Sequence, residues 1–209
     1  MFSRKTIHSQ RLIHEFGYQI QFILQTEAFM VYIFLADGFE EIEALCVLDF
    51  LRRAKIDVKT VGIDTKIVTG SHKIPVVCDI EDVQLTGNED FDMIILPGGL
   101  PGANNLDESE IVDAFIKRAV KEDKLIAAIC AAPFILGKRG ILNGKRACCY
   151  PGFENKLTGA TIVQDGCVRD GKIITARAMG KSHDFALEII EALAGKEERE
   201  KQAGAVLYN

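Results

Sequence analysis

Cys130 stands in the stretch Leu125–Pro133, LIAAICAAP, with Ala128 two residues before it and Ala132 two residues after. That is the small-x-nucleophile-x-small spacing of a nucleophile elbow, where a strand turns sharply into a helix and leaves no room for larger side chains. Leu125–Ile129 is an apolar run without a turn residue, as in a strand buried on both faces of a parallel sheet. Pro133 suits the first turn of a helix and not the interior of a strand. The change from strand to helix therefore falls on Cys130. A thiol placed there faces the N-terminal end of the following helix, whose free N–H groups and dipole favour the thiolate. Most free cysteines are instead small buried hydrophobes, and this stretch alone does not choose between the two roles.

A reactive thiol needs a proton carrier and donors for developing negative charge. Glu43 is a pointed choice for the first, because it lies among the apolar residues of an amphipathic helix (Glu40 to Ala54), whereas Glu40 and Glu41 suit the dipole at its start. A carboxyl buried beside a thiol has its pKa raised and, once protonated, donates a hydrogen bond to sulfur. Gly98-Gly99 would let backbone N–H groups approach the sulfur or an oxyanion closely; an ordinary Pro-Gly turn explains the same residues. A Cys-His pair is the obvious alternative chemistry. His72 falls in a hairpin and His183 in the first turn of a late helix, so each reads as a surface histidine.

The elements that must position these residues follow from periodicity. Val31–Ala36, Ile56–Ile63, Asp92–Leu96 and Leu125–Ile129 read as strands, and Lys66–Thr69 with Ile74–Cys78 as a short antiparallel excursion. A loop rich in Gly, Pro and Asn leads to Leu106, followed by a helix from Ser109, its N-cap, to about Glu122. Ala147–Cys149, Thr161–Val163, Val168-Arg169 and Ile173–Ala176 read as short strands, with Asp170-Gly171 as a hairpin turn. Ser182–Ala194 is an amphipathic helix, and a charged tail, Gly195–Lys201, leads to a last short one. Strands alternating with helices give a doubly wound α/β sheet, in which ligands bind at the carboxyl ends of the strands. Three loops converge there: Asp37–Glu43, Pro97–Gly102 and Cys130–Pro133.

Composition narrows the function classes. The 209 residues are 48% hydrophobic and carry a formal net charge of −5, which with no Lys/Arg block argues against a nucleic-acid partner. No apolar run reaches membrane-spanning length. Six cysteines without C-x-x-C spacing point to a reduced, cytoplasmic protein with no metal and no cofactor, and away from a disulfide framework. Residues 1–29 lack the pattern of the rest and read as an extension outside the core, dispensable to it, with Met30 as the natural start; residues 30–209 form one domain.

Four motifs in order, FLADGFEEIEAL (Phe34–Leu45), MIILPGG (Met93–Gly99), AAICAAP (Ala127–Pro133) and GKSHDFALEIIEALAGKE (Gly180–Glu197), resemble the ThiJ/PfpI superfamily. The match is closest to the branch of Parkinson disease protein 7 and its bacterial relatives. The resemblance implies a flavodoxin-like sandwich with a mostly parallel sheet, a homodimer, a reactive Cys130, a protonated Glu43, and backbone amides of Gly99 and Ala131 around the sulfur. Two positions depart from it. Protease members carry His directly after the nucleophile, where this chain has Ala131, which argues against a peptidase or amidase. Tyr150 stands before Pro151 where this branch often has His, and a phenol is a poor base at neutral pH; Tyr150 is kept as a pocket residue. The function expected is that of a cysteine-dependent stress-response protein, acting on small reactive carbonyls in a glyoxalase or deglycase manner or sensing peroxide through Cys130. The alternative is a redox-regulated chaperone or interaction protein without turnover. Cys148 and Cys149 have no spacing that places them near Cys130, so mild peroxide is expected to add two oxygens there.

Overall fold

Strands with apolar residues on both faces must be covered on both faces, and that requirement builds the layers of this chain. The computed structural model describes residues 29–208. In chain order these form β1 (Met30–Leu35), α1 (Glu41–Arg53), β2 (Asp57–Gly62), β3 (Ile67–Thr69), β4 (Pro75–Val77), β5 (Ile80–Glu81), β6 (Met93–Leu96), α2 (Gly102–Glu108) and α3 (Glu110–Lys121). Then follow β7 (Leu125–Ile129), α4 (Pro133–Lys138), β8 (Arg146–Ala147), β9 (Thr161–Ile162), β10 (Cys167–Asp170), β11 (Ile173–Ala176), α5 (Ser182–Ala194) and α6 (Lys196–Ala205).

Seven strands form the main sheet in the order β10-β11-β7-β6-β1-β2-β5. All neighbours run parallel except β10, which returns antiparallel on β11. Tyr32, Phe34, Ile94, Leu96 and Ile126 point to one face, where Ala103, Leu106, Phe115 and Ile135 from α2, α3 and α4 cover them. Val31, Ile33, Leu35, Met93 and Ile95 point to the other, under Val47 and Leu51 of α1 and Phe185 and Ile189 of α5. This is the expected doubly wound, flavodoxin-like α/β sandwich. From β1 the chain moves to β2 on one side, whereas β6, β7 and β11 lie on the other. The carboxyl ends of β1 and β6 therefore flank the topological switch point, where such sheets leave a crevice.

Three local expectations need correction. The Gly/Pro/Asn-rich segment before Leu106 is not all loop: Gly102–Glu108 is helical, because burial of Ala103 and Leu106 outweighs its poor local propensity. The charged tail from Lys196 is itself α6, fastened by Arg199 to Glu188 and Glu191 of α5 at 3.0 and 2.7 Å. The strand expected over Ala147–Cys149 stops at Ala147, since the Cys148 N–H donates to Thr175 Oγ1 at 3.0 Å. Ser109 does cap α3, accepting from Val112 N. Residues 1–28 of the expected extension lie outside the described residues; Phe29 packs against the core. Among the described residues no helix is long and apolar enough to cross a membrane.

Candidate active site

Cys130 follows β7 directly and adopts φ +63°, a left-handed conformation that costs a non-glycine residue strain. Both of its backbone groups are tied: its N–H donates to Ala176 O at 2.9 Å, and its carbonyl accepts from Tyr150 N at 2.8 Å. The turn closes with Ala132 N–H donating to Ile129 O. Ala128 and Ala132 are both buried, as the elbow spacing requires. The sulfur-bearing residue itself is half-buried at the switch-point end of the sheet.

Glu43 reaches that end from the first turn of α1. It is fully buried, and its Oε2 accepts from Gly98 N at 2.9 Å. Oε1 has no hydrogen-bond partner among the described residues. Gly98 makes the approach possible: a Cβ at that position would lie 2.7 Å from both Cys130 Cβ and Glu43 Oε2. Gly99, at φ +83°, carries the loop back under α1, where Glu40 N donates to Gly98 O at 3.0 Å. The Gly-Gly pair is thus more than a turn, because any side chain at 98 would part the thiol from its acid.

Burial is the largest cause raising the Glu43 carboxyl, to about 7, with the Cys130 side chain and the Gly98 amide pulling the other way. The Cys130 thiol is pushed up to about 12, first by burial, then by the charge of Glu43 and the hydrogen bond to it; the amides of Ala131 and Gly99 oppose this. The second and third causes hold only while Glu43 is ionised. Two acids in one buried site titrate as a pair. A proton on Glu43 removes the opposing charge and gives the site a donor in contact with Cys130, while the two amides still favour the sulfur anion. The helix dipole expected to help is slight, since α4 has only six residues.

Tyr150 is brought to the elbow by its backbone, and its side chain stands 47% exposed at the surface. Sequence spacing gave no sign of this contact, which lays the segment 148–150 beside Cys130. Cys149 nevertheless packs on the opposite face of the sheet from Cys130, and the Cys148 thiol donates to Thr175 O at 3.3 Å. His183 is exposed, lying between Phe50 and Tyr208. His72 is also exposed, yet it grips α1: its N–H donates to Glu41 Oε1 at 2.8 Å, and its Nδ1 lies 2.9 Å from Glu41 Oε2. Glu41, expected to serve the helix dipole, is buried and locked to the β3–β4 turn as well. Asp37 pins the same hairpin by accepting from Thr69 N at 2.8 Å. Neither clamp has a spacing signature, because the partners lie about thirty residues apart.

The profile of the DJ-1/PfpI family matches residues 30–192. Protein dj-1beta of Drosophila melanogaster is 38% identical over 182 residues, covering 85% of this chain and 97% of that protein. Its crystal structure superposes with a TM-score of 0.83, covering 87% of this chain and 99% of that one. Oxidized Toxoplasma gondii DJ-1 gives the same TM-score and coverage at 36% identity. The glutathione-independent glyoxalase DJR-1.2 of Caenorhabditis elegans is 36% identical over 163 residues, 76% of this chain and 84% of that protein. The chain spans less than half the length of two similar Arabidopsis thaliana proteins, 44% and 46% of them. With the profile spanning most of the chain and similar relatives matched almost end to end, the chain belongs to the DJ-1/PfpI family.

Proposed function

We propose that this protein converts small reactive 2-oxoaldehydes through Cys130. The observation that carries the reading is the buried pairing of Cys130, on its strained elbow, with Glu43, a carboxyl whose pKa near 7 lets it take and return a proton at neutral pH. In the reaction, the sulfur adds to the aldehyde carbon; the carbonyl π bond opens and its oxygen takes a proton. The Gly99 and Ala131 amides stabilise the oxyanion as it forms. Glu43 then removes the proton from that carbon and delivers it to the neighbouring one, while the hydroxyl proton passes to the neighbouring carbonyl oxygen, which turns the thiohemiacetal into a thioester. Water cleaves the thioester to a 2-hydroxy acid and frees the thiol, so substrate plus water balances product with no outside oxidant. Similarity to the glutathione-independent glyoxalase of Caenorhabditis elegans supports this choice among cysteine chemistries. Tyr150 contributes a rim of the pocket and a hydroxyl donor, not a base.

The test is methylglyoxal consumption, with formation of lactate, by the wild type and by Cys130→Ser. Activity should vanish in the variant; unchanged turnover would remove Cys130 from the mechanism and the reading with it. A second reading, a peroxide-responsive thiol, is favoured by the same elbow and by similarity to the oxidized form of Toxoplasma gondii DJ-1. We further propose that the protein works as a homodimer through the face that carries α1 and the β3–β4 hairpin.

A further inference from the structure

On the face of the main sheet opposite α1, a cavity of about 740 Å³ opens at the amino ends of β7 and β11, beside the last turn of α3. Sites for small molecules typically measure roughly 300–1,000 Å³. The floor is apolar: Ile126 and Ile173, paired in register on neighbouring strands, are buried there next to Ala119. Ile141 packs on the same side, and Val120 of α3 stands 54% exposed on the wall. None of the lining residues belongs to α1 or the β3–β4 hairpin, so a dimer formed through that face leaves the cavity open to solvent.

The rim is cationic, in a chain whose formal net charge is −5. Lys124, Lys145, Arg169 and Lys172 line the cavity against one acid, Asp123. Two of these cations meet at the β10–β11 turn. Arg169 Nε donates to Gly171 O at 3.3 Å, and Lys145 Nζ lies 3.7 Å from where a Cβ of Gly171 would stand. Neither has a carboxylate partner among the described residues. Asp170, the acid of that turn, accepts instead from Arg146 N at 2.9 Å. Lys124 and Lys172 reach Asp92 and Asp123 only at 3.5 Å, in pairs that solvent screens. Like charges held at one turn without an acid attract an anion, and the apolar floor beside them favours an anion with a body to bury.

We propose that this cavity binds a small amphipathic carboxylate, its tail on Ile126, Ile141 and Ile173 and its head between Lys145 and Arg169. The two features together set the class. A bare inorganic anion leaves the floor wet, whereas an uncharged chain leaves the two cations without a partner. Binding here is separate from the chemistry of Cys130, which lies at the opposite, carboxyl end of β7.

Calorimetric titration of the full chain with sodium decanoate, below the concentration at which it forms micelles, tests this. One decanoate per chain is expected, and hexanoate should bind roughly tenfold more weakly or worse. The double substitution Lys145→Gln/Arg169→Gln should weaken decanoate binding roughly tenfold, with the circular dichroism spectrum unchanged. Val120→Glu, which sets a carboxylate on the exposed wall, should weaken it as well. The absence of saturable binding, binding that survives both variants, or decanol or acetate binding as tightly as decanoate would each overturn the assignment. Retention of the chain by phosphatidylserine vesicles without binding of free decanoate would also overturn it and give the rim to a membrane surface.

Discussion

Glu43 carries the sharpest single-residue consequences. Its pKa is raised to about 7 in the folded chain, from 4.5 in the unfolded one. Between these values the folded state binds more protons than the unfolded state, so stability is fullest below about 4.5 and declines as pH rises through about 7. The loss is on the order of 3 kcal/mol. Urea denaturation at pH 5 and pH 8 should show that decline in the wild type, and Glu43→Gln should flatten much of it. In turnover the same substitution removes the proton carrier and should lower kcat for methylglyoxal by roughly a hundredfold or more. Peroxide separates thiol chemistry from turnover. Cys130 should gain two oxygens while the five other cysteines stay mostly reduced, since Cys148 is committed to Thr175 O and Cys149 faces the other side of the sheet. Glu43→Gln keeps a donor and should preserve that product, whereas Glu43→Ala should shift it toward sulfenic or sulfonic acid. Peptide mass spectrometry distinguishes these, and a Cys130–Cys149 disulfide as the main product would refute the argument.

At the scale of elements, the site depends on how closely α1 can approach the elbow. The Gly98 turn sets that distance, with Cys130 Cβ and Glu43 Oε2 each 2.7 Å from where a Cβ would stand. Gly98→Ala must move the β6 turn, α1 or the elbow, at a cost of about 1–3 kcal/mol. The variant should melt several degrees lower, and the iodoacetamide reactivity of Cys130 should change even where the protein is fully folded. A wild-type melting curve would show that the turn has slack. The elbow was legible in the sequence because its constraints are local: small residues two places either side of Cys130, and a proline that forces the helix. Glu43 was legible because a charge sat in an apolar stripe. The Tyr150 amide on Cys130 O and the Glu41–His72 clamp were not, since each joins segments whose spacing only the tertiary fold determines. Helix α2 escaped for a related reason, its local composition being overridden by the burial of Ala103 and Leu106.

Over the whole molecule, both faces of the main sheet are covered, yet α1 and the β3–β4 hairpin still show apolar side chains to solvent. Ile42 is 48% exposed, Ile74 51% and Val77 68%. They belong together: Glu41, beside Ile42, accepts from the Ile74 N–H, and Val77 pairs across the hairpin with Ile67, itself exposed. A two-stranded hairpin standing apart from the main sheet gains little stability alone, and the proposed dimer would cover these exposed apolar side chains. A second copy of the chain would bury the patch on both partners at once, because a twofold axis brings the same surface to itself. Such a contact needs on the order of 1,200–2,000 Å² of total buried area, which takes in the start of α1 as well as the hairpin. The double substitution Ile74→Glu/Val77→Glu sets four carboxylates across that axis while touching no residue of the core. Sedimentation velocity should then give a monomer for the variant and a dimer for the wild type, with the far-ultraviolet spectrum unchanged. A variant that still sediments as a dimer would move the interface to another face, whereas a wild-type monomer would remove it.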